Sequence, residues 1–207
     1  MATTFDIYPS NTTPPIFSEV VMLAHRRLTE FGTKHGLGTI PPLTFTLHNQ
    51  DEEVSEIGRD APMIWPEDNY VWFQFGDILG GSDAYCRILD EEGLACWEEQ
   101  IKVHEPARSI ASHVRRCVNT RRWWYFRRSA GQPAIVNLGY GFLAAALAEI
   151  TNGIIYSEDN AWEYDQLPCS AEKFYDLYFN PAQTQDSDRK EWIKRNLADL
   201  KNNGMGI

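Results

Sequence analysis

Residues 134–150 constrain the fold most, because this run of seventeen residues, AIVNLGYGFLAAALAEI, carries a single charge. Pro133 precedes the run and residues 152–153, Asn-Gly, follow it, and these are residue types that begin and end helices. A helix that is apolar on every side must be buried on every side. Its charge-free stretch is shorter than the roughly 20 residues of a membrane span. The segment therefore predicts a buried core helix and no membrane segment, and Gly139 and Gly141 should let another backbone approach it closely.

Helix and strand patterns are interspersed around this segment without the regular alternation of a parallel βαβ fold. Apolar residues at helical spacing predict further helices over residues 15–32, 106–118, 170–178 and 187–200. β-Branched, aromatic or alternating residues predict strands over 3–8 (at a sheet edge), 43–48, 70–75, 83–89, 94–103, 121–128 and 153–157. Residues 90–93, Asp-Glu-Glu-Gly, read as a hairpin turn between two of these strands.

These elements predict the α+β class: a single domain over residues 1–207, in which four or five helices pack on a mostly antiparallel sheet. Within it, residues 1–104 are strand-rich and acidic, and residues 105–207 are helix-rich. The first fifteen residues have neither the basic nor the apolar region of a signal peptide. The four cysteines have no regular spacing, as expected of free thiols in a reducing compartment. We therefore expect a cytoplasmic protein.

Charge is distributed unevenly along the chain. The whole sequence has a formal charge of −10, yet residues 51–105 hold fifteen acidic and three basic residues, and residues 115–128 hold six arginines and no acid. An acidic protein is a poor general binder of nucleic acid, whose phosphates need an excess of lysine and arginine. The acidic zone is either a solvated face that keeps the protein soluble or a docking surface for a basic partner.

If the acidic zone is a docking surface, its loop carboxylates and a nearby tryptophan are the candidate contacts, since aromatic anchors rimmed by charge are typical of interfaces. The candidates for binding are Asp51, Glu52, Glu53, Glu56, Trp65, Glu67, Asp68, Asp90, Glu91 and Glu92. A second candidate patch follows the strand predicted at 153–157 and consists of Glu158, Asp159 and Trp162.

The segment RRWWYFRR, residues 121–128, allows two interpretations. Arginines interleaved with rings could bind nucleic acid by stacking and charge. As a strand, however, the segment has aromatic residues in the middle of both faces and arginines at both ends. This pattern favours a strand buried on both sides, with end arginines that pair with internal carboxylates.

Motifs of common enzyme classes are missing. The sequence contains no nucleophile elbow, no phosphate-binding Gly-x-x-x-x-Gly-Lys loop and no dinucleotide fingerprint. No metal-ligand spacing and no cofactor motif occurs either. We therefore expect a protein that is not an enzyme. The alternative is a small hydrolase or transferase that uses Ser157, Glu158, Asp159 and Asp165 for acid–base chemistry.

From residue 121 to 181 the sequence resembles the C-terminal part of bacterial immunity proteins encoded beside polymorphic or type VI secretion toxins. The resemblance rests on RRWWYFRR, the apolar helix, TNGIIYS, EDNAWEYD and FYDLYFNP, with FDIYPS and PPIFSEV near the start of the chain. It implies a cytoplasmic inhibitor that binds a cognate toxin domain and carries no catalytic residues. An acidic inhibitor suits a toxin with a basic active site, as in nucleases. Homodimerisation stays open.

Overall fold

The computed structural model describes residues 2–159 and 161–202. The α-helices within these residues are α1 (Phe17–His35), α2 (Glu91–Val103), α3 (Glu105–Ser109), α4 (Ala111–Val118), α5 (Ala134–Thr151), α6 (Ala171–Leu177) and α7 (Ser187–Asn202). The strands are β1 (Thr3–Tyr8), β2 (Leu43–His48), β3 (Val54–Ser55), β4 (Tyr70–Phe75), β5 (Ser82–Ile88), β6 (Arg122–Arg128), β7 (Ile154–Tyr156) and β8 (Cys169–Ser170). A short 3₁₀ helix covers Tyr164–Gln166.

All eight strands join one antiparallel sheet in the order β3-β2-β4-β5-β6-β1-β7-β8. The α+β prediction is confirmed, with more helices than the four or five expected. The prediction that residues 3–8 form an edge strand is wrong, since β1 pairs with β6 on one side and β7 on the other. Its Phe5 and Ile7 are fully buried, which is what an interior strand requires.

Helix α5 is the central core helix, as the sequence predicts. It packs against α1, α6 and α7 and against the inner face of the sheet at β1, β4 and β6. Its length and composition would suit a membrane span, but 83% of its apolar window is buried inside the protein, as in the core helix of a soluble protein. Gly139 and Gly141 accommodate the rings of Phe75 and Tyr178, and not a neighbouring backbone as expected.

Residues 94–103 are helical, which corrects the strand and hairpin predicted there. Asp90 is the N-cap of α2, because its side chain accepts a hydrogen bond from the Gly93 backbone N–H. Two acidic residues then fill the first turn, where they interact favourably with the helix dipole. Trp97 and Ile101, one helical turn apart, form its buried side. The aromatic and β-branched content had suggested a strand, whereas the cap and the four-residue spacing decide the structure.

Strand β6 is buried on one side only, which corrects the two-sided burial predicted for residues 121–128. Trp124 and Phe126 are in the core, and the indole N–H of Trp124 donates to the Met63 carbonyl. Trp123 and Tyr125 point to the outer face and stay half-buried. The helix predicted at 106–118 is also divided, since Ile110 has non-helical backbone angles between α3 and α4.

Candidate functional site

Three acidic loops meet at one end of the sheet. They are the turn between β2 and β3, the residues that precede β4, and the residues that follow β5. The register places these strand ends side by side, because His48 pairs with Tyr70 and Val71 pairs with Ala84. Adjacent strands are about 4.8 Å apart, so the three loops span about 10 Å across the sheet. We call this region the acidic end, and its members are Asp51, Glu52, Glu53, Glu67, Asp68, Asp90, Glu91 and Glu92.

Only part of this charge is used within the protein. Glu67 accepts a hydrogen bond from the Ile88 backbone N–H, Asp90 caps α2, and Glu91 pairs with Arg121 at 2.8 Å. Four other members are exposed, and within residues 2–159 and 161–202 their carboxylates make no hydrogen bond or ion pair: Asp51, Glu52, Asp68 and Glu92. Each of the three loops therefore presents at least one unneutralised carboxylate to solvent.

Apolar side chains are exposed among these carboxylates. Val54, next to Glu53, is 61% exposed, and Ile88, at the end of β5, is 59% exposed. Val54 lies on the outermost strand, β3, and Ile88 lies at the end of β5, so each adjoins a different acidic loop. Exposed apolar groups next to charged residues are a composition found at protein–protein interfaces.

The remaining sequence-predicted site residues lie elsewhere. Glu56 is exposed beyond β3 at the sheet edge. Glu158 and Asp159 follow β7, whose register against β1 places them at the opposite end of the sheet. Trp65 is 6% exposed and Trp162 is fully buried, so neither indole can contact a partner, and their assignment to the interface is corrected. Both are core residues in acidic segments.

A row of rings crosses the outer face of the sheet beside the acidic end. Helices α2–α4 cover the β1–β7 part of this face, where Trp97 contacts the rings of Tyr8 and Tyr156. The side chains on β2, β4 and β5 remain partly exposed. Directly paired positions on successive strands form the row, which we call the tyrosine row: His48, Tyr70, Tyr85, Tyr125, Asp6 and Tyr156.

The rings of the tyrosine row stack on one another. The His48 and Tyr70 centroids are 4.8 Å apart, those of Tyr70 and Tyr85 5.7 Å, and those of Tyr85 and Tyr125 4.6 Å. Because neighbouring rings largely cover one another's faces, the row presents mainly ring edges and phenol groups to solvent. Arg87 lies over the Tyr85 and Tyr125 rings on the side of the acidic end.

Arg127 lies on the opposite side of the tyrosine row from Arg87. It lies over the Tyr85 ring and pairs with Asp83, and the Tyr85 hydroxyl donates to Asp83. Burial, followed by the charge of Asp83, raises the pKa of Tyr85 to about 12. Burial, followed by the charge of Glu52, also raises the pKa of Tyr70. The carboxylate of Glu52 in the acidic end is therefore close enough to Tyr70 in the row for an electrostatic interaction. Both phenols are therefore neutral hydrogen-bonding groups at physiological pH.

Trp72 lies next to the tyrosine row. It pairs with Thr46 and Asp83 on the outer face, and its indole lies against Gly81. A Cβ added to Gly81 would come within 2.6 Å of two indole carbons. Glycine at this position therefore allows the indole to lie close to the sheet, and Trp72 remains partly exposed.

Asp6 occupies the far part of the tyrosine row and is 7% exposed. It lies between Tyr125 and Tyr156 and near two further carboxylates, Glu158 and Asp159. Burial first, and then these two charges, raise the pKa of Asp6 well above its usual range. A backbone N–H of Glu158 only partly offsets this effect. The ionised carboxylate is therefore destabilising in the folded state.

Replacing Asp6 with asparagine should stabilise the protein at neutral pH. Folding raises the pKa of Asp6. Its carboxyl group therefore contributes its full stability only at a pH below its pKa in the unfolded chain, about 3.9, and this contribution is lost as the pH rises through its pKa in the folded protein. An asparagine side chain carries no charge, so we expect Asp6→Asn to raise the free energy of unfolding by about 1–3 kcal/mol at pH 7 and by little at pH 4. Urea unfolding across this pH range measures the difference.

The exposed Asp68→Asn serves as the matched control and should leave the pH dependence unchanged. If Asp6→Asn raised the free energy of unfolding equally at pH 4 and pH 7, the ionised carboxylate of Asp6 would not be the cause, because only the ionised form is destabilising in the folded state.

The arginines of residues 115–128 do not form a free basic surface. Arg115 pairs with Glu98 on α2, Arg121 with Glu91, and Arg127 with Asp83. Arg128 lies over the rings of Tyr140 and Trp192, each about 5 Å from the guanidinium carbon. Carboxylate-paired and ring-stacked arginines on different elements favour the structural interpretation over nucleic-acid binding.

The segment considered for acid–base catalysis is mostly engaged in local structure. The Ser157 hydroxyl is buried and accepts a hydrogen bond from the Ala161 backbone N–H. Asp159 accepts from the Thr4 and Ala161 backbone N–H groups, and Glu163 accepts from two backbone N–H groups at residues 185–186. Asp165 instead lines a cleft of about 360 Å³ between α3, α4 and α6. The Ser157 hydroxyl also donates to Asp159 at 3.3 Å, whereas Asp165 lines a cleft without these two residues, so the candidate residues do not share one site.

No cluster of three or more histidine, cysteine or acidic side chains suited to a metal ion occurs in the described residues. A scan against protein-family models found no match for this chain. Searches of the curated proteins and of the solved structures likewise found no match. The case for function therefore depends on the surface itself.

The sequence indicated the acidic loops but not the tyrosine row. Alternation on each strand predicts which side chains share a face, but only the pairing register brings His48, Tyr70, Tyr85 and Tyr125 into line. One signal was available: every strand from β2 to β6, apart from the two-residue β3, carries an aromatic or histidine residue at a position that alternates with core residues.

Proposed function

We propose that this protein is an immunity protein, which binds a cognate antibacterial toxin domain and blocks its active surface. The toxin would be a basic domain, with a nuclease as the first candidate, of the kind encoded in polymorphic or type VI secretion systems. The observation that carries the proposal is the acidic end, where three loops present unneutralised carboxylates and where Val54 and Ile88 are exposed beside two of these loops. The protein acts by occupation of the toxin and performs no reaction of its own.

Charge complementarity supports this partner class. The acidic end carries eight carboxylates, and a basic domain approaches such a surface faster than a neutral one because the opposite potential steers the encounter. Immunity requires fast capture, since an unbound toxin acts on the host at once. We place the protein in the cytoplasm, where a nuclease toxin would meet its substrate.

Charge reversal at the acidic end should slow toxin capture. In the triple variant Asp51→Lys, Asp68→Lys, Glu92→Lys, one unpaired carboxylate from each loop becomes basic. We expect the association rate with the toxin domain encoded by the adjacent gene to fall about 10–100-fold at low salt. The loss should shrink in 0.5 M salt, where charges are screened over a few ångströms. Stopped-flow association and survival of cells that express the toxin measure the effect.

The matched control reverses three exposed carboxylates outside the acidic end: Asp165→Lys, Asp176→Lys and Asp199→Lys. Its net charge equals that of the test variant, so it separates a local docking effect from a general charge effect. Equal protection and equal association rates for the wild type and the acidic-end variant would refute the proposed surface.

A further inference from the structure

The tyrosine row and Trp72 adjoin the acidic end without a gap. Asp68 lies two residues before Tyr70, and the charge of Glu52 reaches the Tyr70 phenol. Arg87 links the two regions, because its guanidinium donates to the Glu67 carbonyl while it lies over the Tyr85 ring. A basic domain seated on the acidic loops would therefore cover the adjoining outer face of β4 and β5.

This outer face has the chemistry of a binding hot spot. Tyr70 and Tyr125 are held by ring stacking, yet their hydroxyls make no hydrogen bond within the described residues. Trp72 is partly exposed on this face, and an indole ring is the best side-chain partner for a lysine or arginine from another protein. Rigid aromatic side chains lose little conformational entropy on binding, and tyrosine and tryptophan are enriched among hot-spot residues.

Among the described residues, the chain's own arginines lie over Tyr85 and Tyr125 but not over Tyr70 or Trp72. Arg87 and Arg127 both lie over Tyr85, whose hydroxyl is already bonded to Asp83. Within the described residues, no cation lies over Tyr70 or Trp72. Tyr85 is thus a structural member of the row, whereas Tyr70 and Trp72 remain available to basic side chains from outside.

We infer that the binding surface divides its work: the acidic end steers the toxin domain, and the hot spot formed by Tyr70 and Trp72 retains it. This inference rests on the proposed function, and it names lysine and arginine side chains of the toxin as the groups held, by the indole of Trp72 and by the hydroxyl of Tyr70. Steering acts on the association rate and falls with salt. Buried aromatic contacts act mainly on the dissociation rate and depend little on salt.

The test is surface plasmon resonance with the catalytically inactivated toxin domain of the adjacent gene as the immobilised probe. We expect Trp72→Ala to raise the dissociation rate about 30-fold or more, and Tyr70→Ala by about 10-fold, while their association rates change less than about threefold. The acidic-end triple variant should show the opposite pattern. Circular dichroism and thermal unfolding establish that each variant is folded.

Conservative variants keep the test decisive if an alanine variant unfolds. Trp72→Phe and Tyr70→Phe retain a ring on the sheet, and we expect dissociation to be about three- to tenfold faster for each, through the smaller ring and the lost hydroxyl. Tyr164→Ala is the control, since Tyr164 is an exposed tyrosine that lies beyond the β1–β7 part of the sheet and stacks on His104. It should leave both rates unchanged.

The outcomes separate the two proposals. If the acidic-end variant slows association but every aromatic variant dissociates at the wild-type rate, the hot spot is refuted and the proposed function stands. If the aromatic variants change association and dissociation equally, the division of work is refuted. If the wild-type chain does not bind the toxin domain at all, the proposed function fails and this inference fails with it.

Discussion

Replacing Gly141 with valine is expected to lower the free energy of unfolding by about 3 kcal/mol or more. A Cβ at this position of α5 would lie 2.3 Å from a ring carbon of Tyr178 and 2.9 Å from its hydroxyl oxygen. That ring cannot move aside, because it is fully buried and packs against Phe5, Trp162 and Phe174. Its hydroxyl also donates to the Asn137 carbonyl, a bond that the displaced ring would lose. Thermal unfolding should show a midpoint lower by roughly 6–12 °C.

Gly58→Val is the control for this substitution. A Cβ at Gly58 meets no atom within 4 Å, and the residue does not have a positive φ angle. We expect its unfolding midpoint to stay within about 2 °C of the wild type. An equal loss at both positions would mean that the close approach of α5 and Tyr178 is not what requires glycine at 141.

Trp162→Ala should destabilise the fold by about 3–5 kcal/mol and, under the proposed function, leave the toxin-binding rates of the folded protein unchanged. The indole is fully buried, packs edge-to-face on Tyr178 at 4.9 Å and donates to the Gln166 side chain at 3.0 Å. Arg189 lies over its ring. Truncation therefore leaves a large cavity, and the side-chain oxygen of Gln166 loses the hydrogen bond from the indole. Urea unfolding combined with surface plasmon resonance measures both properties.

Trp162→Phe is the companion variant and should lose less stability than the alanine variant, because most of the ring volume is kept. The opposite result, unchanged stability with weaker toxin binding, would restore Trp162 to the interface where its acidic surroundings in the sequence first placed it.

Local sequence patterns predicted much of this fold, and long-range pairing accounts for most errors. Local patterns correctly predicted α5 from its apolar run, and β2 and β4 from their strand-forming residues, because tertiary contacts do not override these patterns. At 94–103 the local signal was mixed, and the Asp90 cap with the spacing of Trp97 and Ile101 decided for a helix. For β1, no local pattern revealed the two partner strands, which come from residues 122–128 and 154–156.

The site was predictable in charge but not in shape. Loop carboxylates can be counted along the chain, and strand register then brings three of the loops together at the acidic end. Burial reversed the interpretation of Trp65 and Trp162, because an acidic segment can still direct a single indole into the core. The tyrosine row depends on pairing between residues that lie up to 150 positions apart in the sequence, as Asp6 and Tyr156 do, and no local pattern encodes that alignment.

The interior position of β1 also determines when this protein can finish folding during its synthesis. Residues 3–8 are synthesised before their partners on both sides, β6 and β7, which lie at residues 122–128 and 154–156. At translation rates of 5–20 residues per second, β1 waits roughly 6–30 s for them. During that time its Phe5 and Ile7 have no sheet to join, while β2, β4 and β5 can already pair as a local meander. The nascent chain therefore passes through a stage in which the apolar side chains of β1 have neither partner strand to pair with.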